Sequence, residues 1–325
     1  MKTGASLFCS IREMLMASML LVVNPTSGRG LAGRSLPEIE RRLKDYGVDY
    51  HVTLTRRPWH AAELAEQGAR QGYDSVIAVG GDGTANEVLN GLLRARAAGY
   101  RSMAMGILAV GTGNDFASGM GIPPGVEAGC RVLAENHRRC MDVGRLEGGD
   151  YPQGRYFGNG VGIGFDAATG FIAAKIRRLR GLLLYLLAAL ETLFIYYRPP
   201  VVRIVCDDQE TVQPSLMVSI MNGRRMGGGF LFAPHAETTD GLFDLCIASS
   251  ASRLRILQLI PYFLKGTQAT QKEVKTARAR RVEVTALQGT LPIHCDGETV
   301  CYAGQSLRVE ILPQHLEFIT RPVSV

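Results

Sequence analysis

Long uninterrupted apolar stretches are missing from this 325-residue sequence. The two nearest to one are Leu15 to Val23, which runs directly into Asn24-Pro25, and Leu182 to Tyr197, which Glu191 interrupts. Both fall short of the ~20 residues that a membrane-spanning helix needs. No small-x-small cleavage site follows the first, so it reads as a buried strand and not as a signal peptide. Phe8 precedes Cys9, where a lipoprotein signal would carry a small residue. Cysteine is scarce: 7 scattered residues without a C-x-x-C pair, which leaves out the common zinc and redox spacings. Reduced thiols in a cytoplasmic protein suit that pattern. Internal repeats and low-complexity linkers are absent as well.

Neither sign of charge dominates. Lys and Arg number 36 against 30 Asp and Glu, a net +6, which suits a phosphate-bearing partner without choosing among nucleotide, nucleic acid and anionic membrane. With 46% hydrophobic and 20% charged residues the chain has the balance of a globular protein with a real core.

What is present falls into two textures. Over 19–145, strands are expected at Met19–Val23, Tyr50–Leu54, Ser75–Val79 and Met105–Ala109, with helices at Ser35–Tyr46, His60–Gln71 and Asn86–Arg96 between them. This alternation predicts a three-layer α/β domain, a parallel sheet with helices on both faces, and ligands at the carboxyl ends of its strands. Over 146–311, strand-like runs at Tyr156–Ile163, Val201–Cys206, Leu216–Met221, Leu242–Ala248, Arg281–Ala286 and Leu307–Ile311 predict a mainly antiparallel β domain. Helices over 168–197 and 252–265 interrupt it. The segment 312–325 is a candidate to rejoin the first domain. Residues 1–18 read as a loose extension, with Met14, Met16 and Met19 as alternative starts. A cleft between the halves is the default ligand site.

Three polar, glycine-containing turns follow strands of the first half. Gly80-Gly81-Asp82-Gly83-Thr84 links a strand to a helix, where glycine admits backbone amides close to phosphate and the helix dipole adds to the attraction. It is neither a Walker loop, for no Gly-Lys-Ser/Thr follows, nor a Rossmann fingerprint of the usual spacing. Asn24-Pro25-Thr26-Ser27-Gly28-Arg29-Gly30 and Gly111-Thr112-Gly113-Asn114-Asp115 supply further amides, hydroxyls and a carboxamide. Each alone reads as a capped turn; together they read as a nucleotide site. In phosphoryl transfer the protein positions groups and offsets charge, so a magnesium ion held by a carboxylate is expected, with Asp82 as its candidate. An acceptor hydroxyl also needs a base.

These motifs resemble the diacylglycerol kinase catalytic-domain family, soluble bacterial lipid kinases related to sphingosine and ceramide kinases. The likeness runs from about residue 19 to 320. It takes in Asn222-Gly223-Arg224-Arg225, Gly227-Gly228-Gly229, Pro234-x-Ala236, Asp240-Gly241-Leu242 and Asp296-Gly297-Glu298. One departure is Ala109, where the family usually has a proline. The resemblance implies an NAD kinase-like α/β domain followed by a β-sandwich. It implies ATP held by Asn24 to Gly28, Thr55, Gly80 to Asn86 and Thr112; the motifs add Glu87, Gly111, Asn114 and Asp115. It implies a structural magnesium ion on Asp240, with carbonyls from Glu237 and Leu242. Glu298 takes the proton acceptor's position with Asp296 beside it, and Asp82 remains the alternative base.

The implied reaction moves the γ-phosphate of ATP to a lipid hydroxyl, first of all that of diacylglycerol, giving phosphatidate. Phosphatidylglycerol or a sphingoid base are other acceptors. NAD kinases, which share a Gly-Gly-Asp-Gly loop followed by Asn-Glu, are the competing reading. The lipid would be presented by the inner face of a membrane that a cytoplasmic protein visits peripherally. Residues 182–197, with Lys175, Arg177, Arg178 and Arg180 before them, form either an interfacial helix or a core helix. No nucleic-acid partner is expected. An edge strand such as 281–286 could pair two copies into a homodimer, while the sequence leaves the oligomeric state open.

Overall fold

The computed structural model describes residues 18–176, 179, 181–196 and 198–322. Arg177, Arg178, Arg180 and Tyr197 lie outside the described residues, as do Met14, Met16 and the rest of the extension before Ser18.

The first half is the expected three-layer α/β domain. Strands β1 (Met19–Val23), β2 (Tyr50–Leu54), β3 (Ser75–Gly80) and β4 (Ala104–Ala109) run parallel in the order β2-β1-β3-β4. β1 and β3 are buried at every position, as strands covered on both faces must be, so their sequences are continuous apolar runs. The crossovers are α1 (Ser27–Asp45), α2 (His60–Gln71) and α3 (Asp82–Ala97); α4 (Asp115–Gly119) and α5 (Val126–Glu135) follow β4. α1 packs with α5, and α2 with α3. A Cβ at Gly91 would lie 2.2 Å from Ala62 O, which is how α2 and α3 approach so closely.

The second half is an antiparallel sandwich. β5 (Arg138–Gly148), β6 (Tyr151–Phe157), β8 (Val201–Cys206), β12 (Arg281–Gln288) and β15 (Ser306–Ile319) form one layer. β7 (Gly160–Gly164), β10 (Phe243–Ser249), β11 (Val274–Ala279), β13 (Leu291–Cys295) and β14 (Glu298–Gly304) form the other. The long β9 (Gln209–Met221) belongs to both, pairing β8 with its first part and β7 and β10 with its second. β15 runs on from the sandwich to pair Phe318 in parallel with Met105 of β4, and Leu316, Phe318 and Ile319 enter the core of the α/β domain. One strand thus sets the two halves relative to each other.

Three expectations need correction. Residues 281–286 are no edge: β12 is paired on one side by β8 and on the other by β15. The run Tyr156–Ile163 is two strands, broken at Gly158-Asn159 because those amides turn to a side chain described below. The helix over 168–197 divides into α6 (Phe165–Ala173) and α7 (Gly181–Glu191), the latter ending in a π-helical turn at Thr192–Tyr196. α8 (Arg253–Lys265) matches its expectation, with Ser252 Oγ accepting from the Arg255 N–H as its cap. Among the described residues no helix is long and apolar enough to cross a membrane.

Candidate active site

The ends of β1, β3 and β4 bring the three loops to one place. The Asn24 N–H donates to Val79 O at 3.0 Å. Its carboxamide donates to Thr84 Oγ1 at 3.2 Å and accepts from the Thr26 N–H and Oγ1 at 3.2 and 2.8 Å. Pro25 packs on Gly33 of α1. Beyond Ser27, the left-handed φ of Gly28, Arg29 and Gly30 (56°, 59° and 81°) makes the start of α1 a loop and not a helical turn. A Cβ at Gly28 would lie 2.2 Å from Val110 O, and one at Gly111 would lie 2.3 Å from Gly81 Cα. The loops therefore touch backbone to backbone, and glycine is required there. Gly80 O accepts from the Val110 N–H at 2.9 Å. Asn114, left-handed at φ 58°, closes the third loop by accepting from the Gly111 N–H (2.9 Å) and donating to Gly111 O (3.2 Å), with Thr112 exposed at the tip. Thr55, at the end of β2, donates its N–H to Val23 O at 2.8 Å.

α3 starts where these loops meet, so the orphan amides of Gly83 and Thr84 and the positive end of the helix dipole belong to the same place. Asp82 accepts from the Phe116 N–H at 2.9 Å. Asp115 accepts from the Gly228 N–H at 2.8 Å and pairs with Arg225 Nε at 3.1 Å, which joins the two domains. Burial first, then the neighbouring Asp115 charge, push Asp82 up to about 7. Burial also raises Asp115, against the Gly228 and Arg225 contacts. A divalent cation brought to this helix end would relieve that repulsion, with Asp82 as its carboxylate ligand.

The Asp296-Gly297-Glu298 turn reaches this helix end from the other domain. Asp296 is buried, left-handed at φ 47°, and accepts four hydrogen bonds: from Asn86 Nδ2 (2.9 Å) and from the N–H groups of Gly158 (2.8 Å), Asn159 (2.9 Å) and Gly160 (2.9 Å). Burial raises its pKa and these donors oppose the rise. With its oxygens so engaged, Asp296 fixes the turn that carries Glu298. Glu298 is exposed to the cleft, and its Oε1 lies 2.2 Å from where a Cβ of Gly83 would be. Burial is again the first cause of its raised pKa, with Arg155 lowering it.

Two residues expected at the nucleotide do other work. Asn86 is fully buried, tying Asp296 to Tyr156 O (3.0 Å) and accepting from Arg155 Nε and Nη2 (3.1 and 2.7 Å). Glu87 accepts from the Ala61 N–H at 3.0 Å and so caps α2. Arg155, which the motifs did not reveal, is buried between the rings of Trp59 (4.8 Å) and Tyr151 (4.9 Å) behind the turn. Trp59 therefore belongs to an interdomain stack.

From Asp82, Asp115 and Gly297 an apolar pocket runs into the sandwich domain, with about 980 Å³ of empty space partly open to solvent. Its walls include Phe165, Tyr185, Met217, Phe230, Leu259 and Phe263, from α6 to α8 and β9. Sequence patterning gave no sign of it, because its walls come from segments spread over a hundred residues.

The family-implied structural ion does not fit the residues as they stand. Asp240 accepts from the Leu242 N–H at 3.0 Å and from Arg278 Nη2, whose Nε also faces Asp244 Oδ1 at 3.6 Å. The guanidinium already supplies the positive charge there.

Known proteins share both halves. The profile of the diacylglycerol kinase catalytic domain matches residues 18–146, and that of the YegS C-terminal NAD kinase beta sandwich-like domain matches residues 159–320. A diacylglycerol kinase of Mycobacterium tuberculosis is 31% identical over 293 residues, covering 90% of this chain and 92% of its own. The solved structure of a diacylglycerol kinase from Bacillus anthracis is 22% identical with a TM-score of 0.71, covering 95% of this chain and 98% of its own. Yeast NADH kinase, solved with NADH, is 9% identical with a TM-score of 0.53 over 94% of this chain and 84% of its own. These two structures speak for the fold alone.

Proposed function

The chain belongs to the diacylglycerol kinase catalytic-domain family and is a lipid kinase; from that premise we propose that it transfers the γ-phosphate of ATP to the hydroxyl of diacylglycerol, giving phosphatidate. One observation carries this reading: a large apolar pocket is lined at one end by Asp82, Asp115 and Gly297, beside Glu298 and the start of α3. Acyl chains lying in that pocket leave the glycerol hydroxyl between Glu298 and the loops. The NAD kinase reading shares the fold and the glycine loop but gives no reason for an apolar pocket of this size beside them.

The loops at 24–30, 80–84 and 111–115 cradle the triphosphate with amides, and Asp82 would hold a magnesium ion that, when bound, offsets charge on the phosphate oxygens. Glu298 accepts the hydroxyl proton as the oxygen attacks phosphorus, and its burial-raised pKa makes it a better base near neutral pH. Asp296, Asn86 and Arg155 hold it in place. The structural-ion role of Glu237, Asp240 and Leu242 is not carried over.

Membrane contact falls to α7. Leu183 (68% exposed), Leu187, Leu190 and Phe194 (61%) form an outer stripe, while Tyr185 and Ala189 on the inner face line the pocket. A helix apolar on both faces, one on the pocket and one open, suits a lid resting on the inner leaflet that supplies the lipid. The protein would then be cytoplasmic and peripherally bound.

Glu298→Gln tests the assignment. With labelled ATP and diacylglycerol in mixed micelles, turnover should fall about 10²- to 10⁴-fold while ATP binding by calorimetry persists. Wild-type turnover in that variant, or label appearing on NAD and not on lipid, overturns it.

A further inference from the structure

A polar row stands among the apolar residues of the pocket wall. On β13, β7 and β9, His294 stands opposite Gly162 and Gly162 opposite Ser219. Asp166, in the first turn of α6, reaches the same row. It accepts from Ser219 Oγ at 2.8 Å and from the Ala167 N–H at 2.8 Å. A Cβ at Gly162 would lie 2.2 Å from His294 Nε2 and 2.3 Å from Asp166 Oδ2, so both polar heads converge over a residue that has no side chain. They do not bond each other: the two atoms are 4.0 Å apart. His294 is 7% exposed and its Nε2 has no hydrogen-bond partner among the described residues.

A buried nitrogen without a partner is unfavourable, and the surrounding Met217, Phe165 and Leu216 offer it none. His294 and Asp166 both line the pocket that continues to Asp82 and Gly297. A ligand lying along it therefore passes the orphaned nitrogen before its hydroxyl reaches the loops. We propose that His294, Asp166 and Ser219 form the recognition point for a second, neutral oxygen of the lipid acceptor: an ester carbonyl close to the hydroxyl that takes the phosphate. This rests on the lipid-kinase reading above and deepens it.

The electrostatics agree with a neutral ligand atom. Burial pushes Asp166 up to about 7 and His294 down to about 4, so the row favours uncharged forms. An imidazole N–H or a protonated carboxyl donates to a carbonyl. An ammonium group would instead need a charged Asp166. His294 is a specificity-determining residue in this scheme; Asp166 and Ser219 orient the row from its other side.

The test compares acceptors of equal chain length in mixed micelles under saturating ATP: a diacylglycerol, its dialkyl ether analogue without carbonyls, and a sphingoid base. Wild-type protein should favour the diester over the diether by about tenfold or more in kcat/KM, because a site built to donate rejects an analogue that cannot accept. In His294→Leu the ratio should collapse toward one through a raised KM for the diester, with the KM for ATP unchanged. His294→Gln, which keeps a donor, should retain most of the preference and serves where His294→Leu fails to fold. Equal wild-type rates on diester and diether overturn the proposal while leaving the lipid kinase standing, as does a variant that lowers both by one factor. Preference for the sphingoid base, abolished by Asp166→Asn, assigns the row to an ammonium and overturns it too. No phosphorylation of any lipid instead defeats the underlying kinase reading.

Discussion

The two ends of the interdomain cleft are built from different material. At the nucleotide end the contacts are backbone on backbone: Gly28 against Val110, Gly111 against Gly81. At the lipid end they are side chain on side chain, with Met217, Phe230, Leu259 and Phe263 enclosing space and one polar row set among them. A backbone-built site tolerates one residue type at each point of closest approach. A side-chain-built site tolerates any set of similar volume. The first kind leaves a spaced motif in the sequence and the second leaves none.

The largest effect should come from testing that intolerance. Gly111→Ala puts a Cβ 2.3 Å from Gly81 Cα, and neither backbone can swing aside as a side-chain end would. The two loops must part, and the amides they present lose their common focus. Activity should fall at least about 10²-fold, since misplacing positioning groups by about 1 Å has effects of that size. The loss should appear in the KM for ATP, with a melting temperature lowered by a few degrees. A variant that binds ATP normally would break the comparison at its stronger end.

The same difference explains what could be read in advance. The parallel sheet was legible because β1 and β3 are continuous buried runs between helical segments. The three loops were legible because glycine has to recur in them. Asp296 with Gly297, taken locally, has the form of an ordinary Asp-Gly turn. Its four donors sit 136 to 210 residues away, and no local pattern announces partners at that distance. Asn86 and Glu87 follow the glycine loop in sequence, but one α-helical turn carries them to its packed face: Asn86 toward Asp296, Glu87 toward the start of α2. His294 carried no signal at all. Its place beside Asp166 depends on the register of three strands, Gly162 with His294 and with Ser219. Register is a property of the sheet and not of any one strand.

A smaller effect tests whether the polar row is a neutral island in an apolar wall. Asp166 moves from 3.8 to about 7 on folding, so its contribution is fully present below pH 3.8 and is lost as pH rises through 7. His294 moves from 6.5 to about 4, so its contribution is present above pH 6.5 and is lost as pH falls through 4. Between pH 4 and 6.5 the two oppose each other and largely cancel. Single variants should expose them: thermal stability should rise with pH over that window in Asp166→Asn and fall in His294→Gln. Each slope approaches about 1.4 kcal/mol per pH unit per proton. Melting curves at half-unit steps read it directly. Slopes of one sign in both variants would mean that one of the two groups keeps its charge in the folded protein, so the row is no neutral island.

The smallest effect is the most direct counterpart of Gly111→Ala. Met217 lines the pocket from β9 and is buried against its neighbours, yet its role there is to occupy volume. Met217→Leu conserves that volume and should change stability by less than about 1.5 kcal/mol. Turnover on a preferred diacylglycerol should stay within a few-fold of wild type. The ranking of acyl lengths should shift, because a branched side chain replaces a flexible one at the same wall. Rates over a series of acyl lengths, with a melting curve for each protein, measure both. If this one substitution were as damaging as Gly111→Ala, the pocket would be as geometrically exacting as the loops, and its silence in the sequence would need another cause. If it is mild, that silence follows from tolerance: many apolar residues can build the wall, so no particular one has to be there.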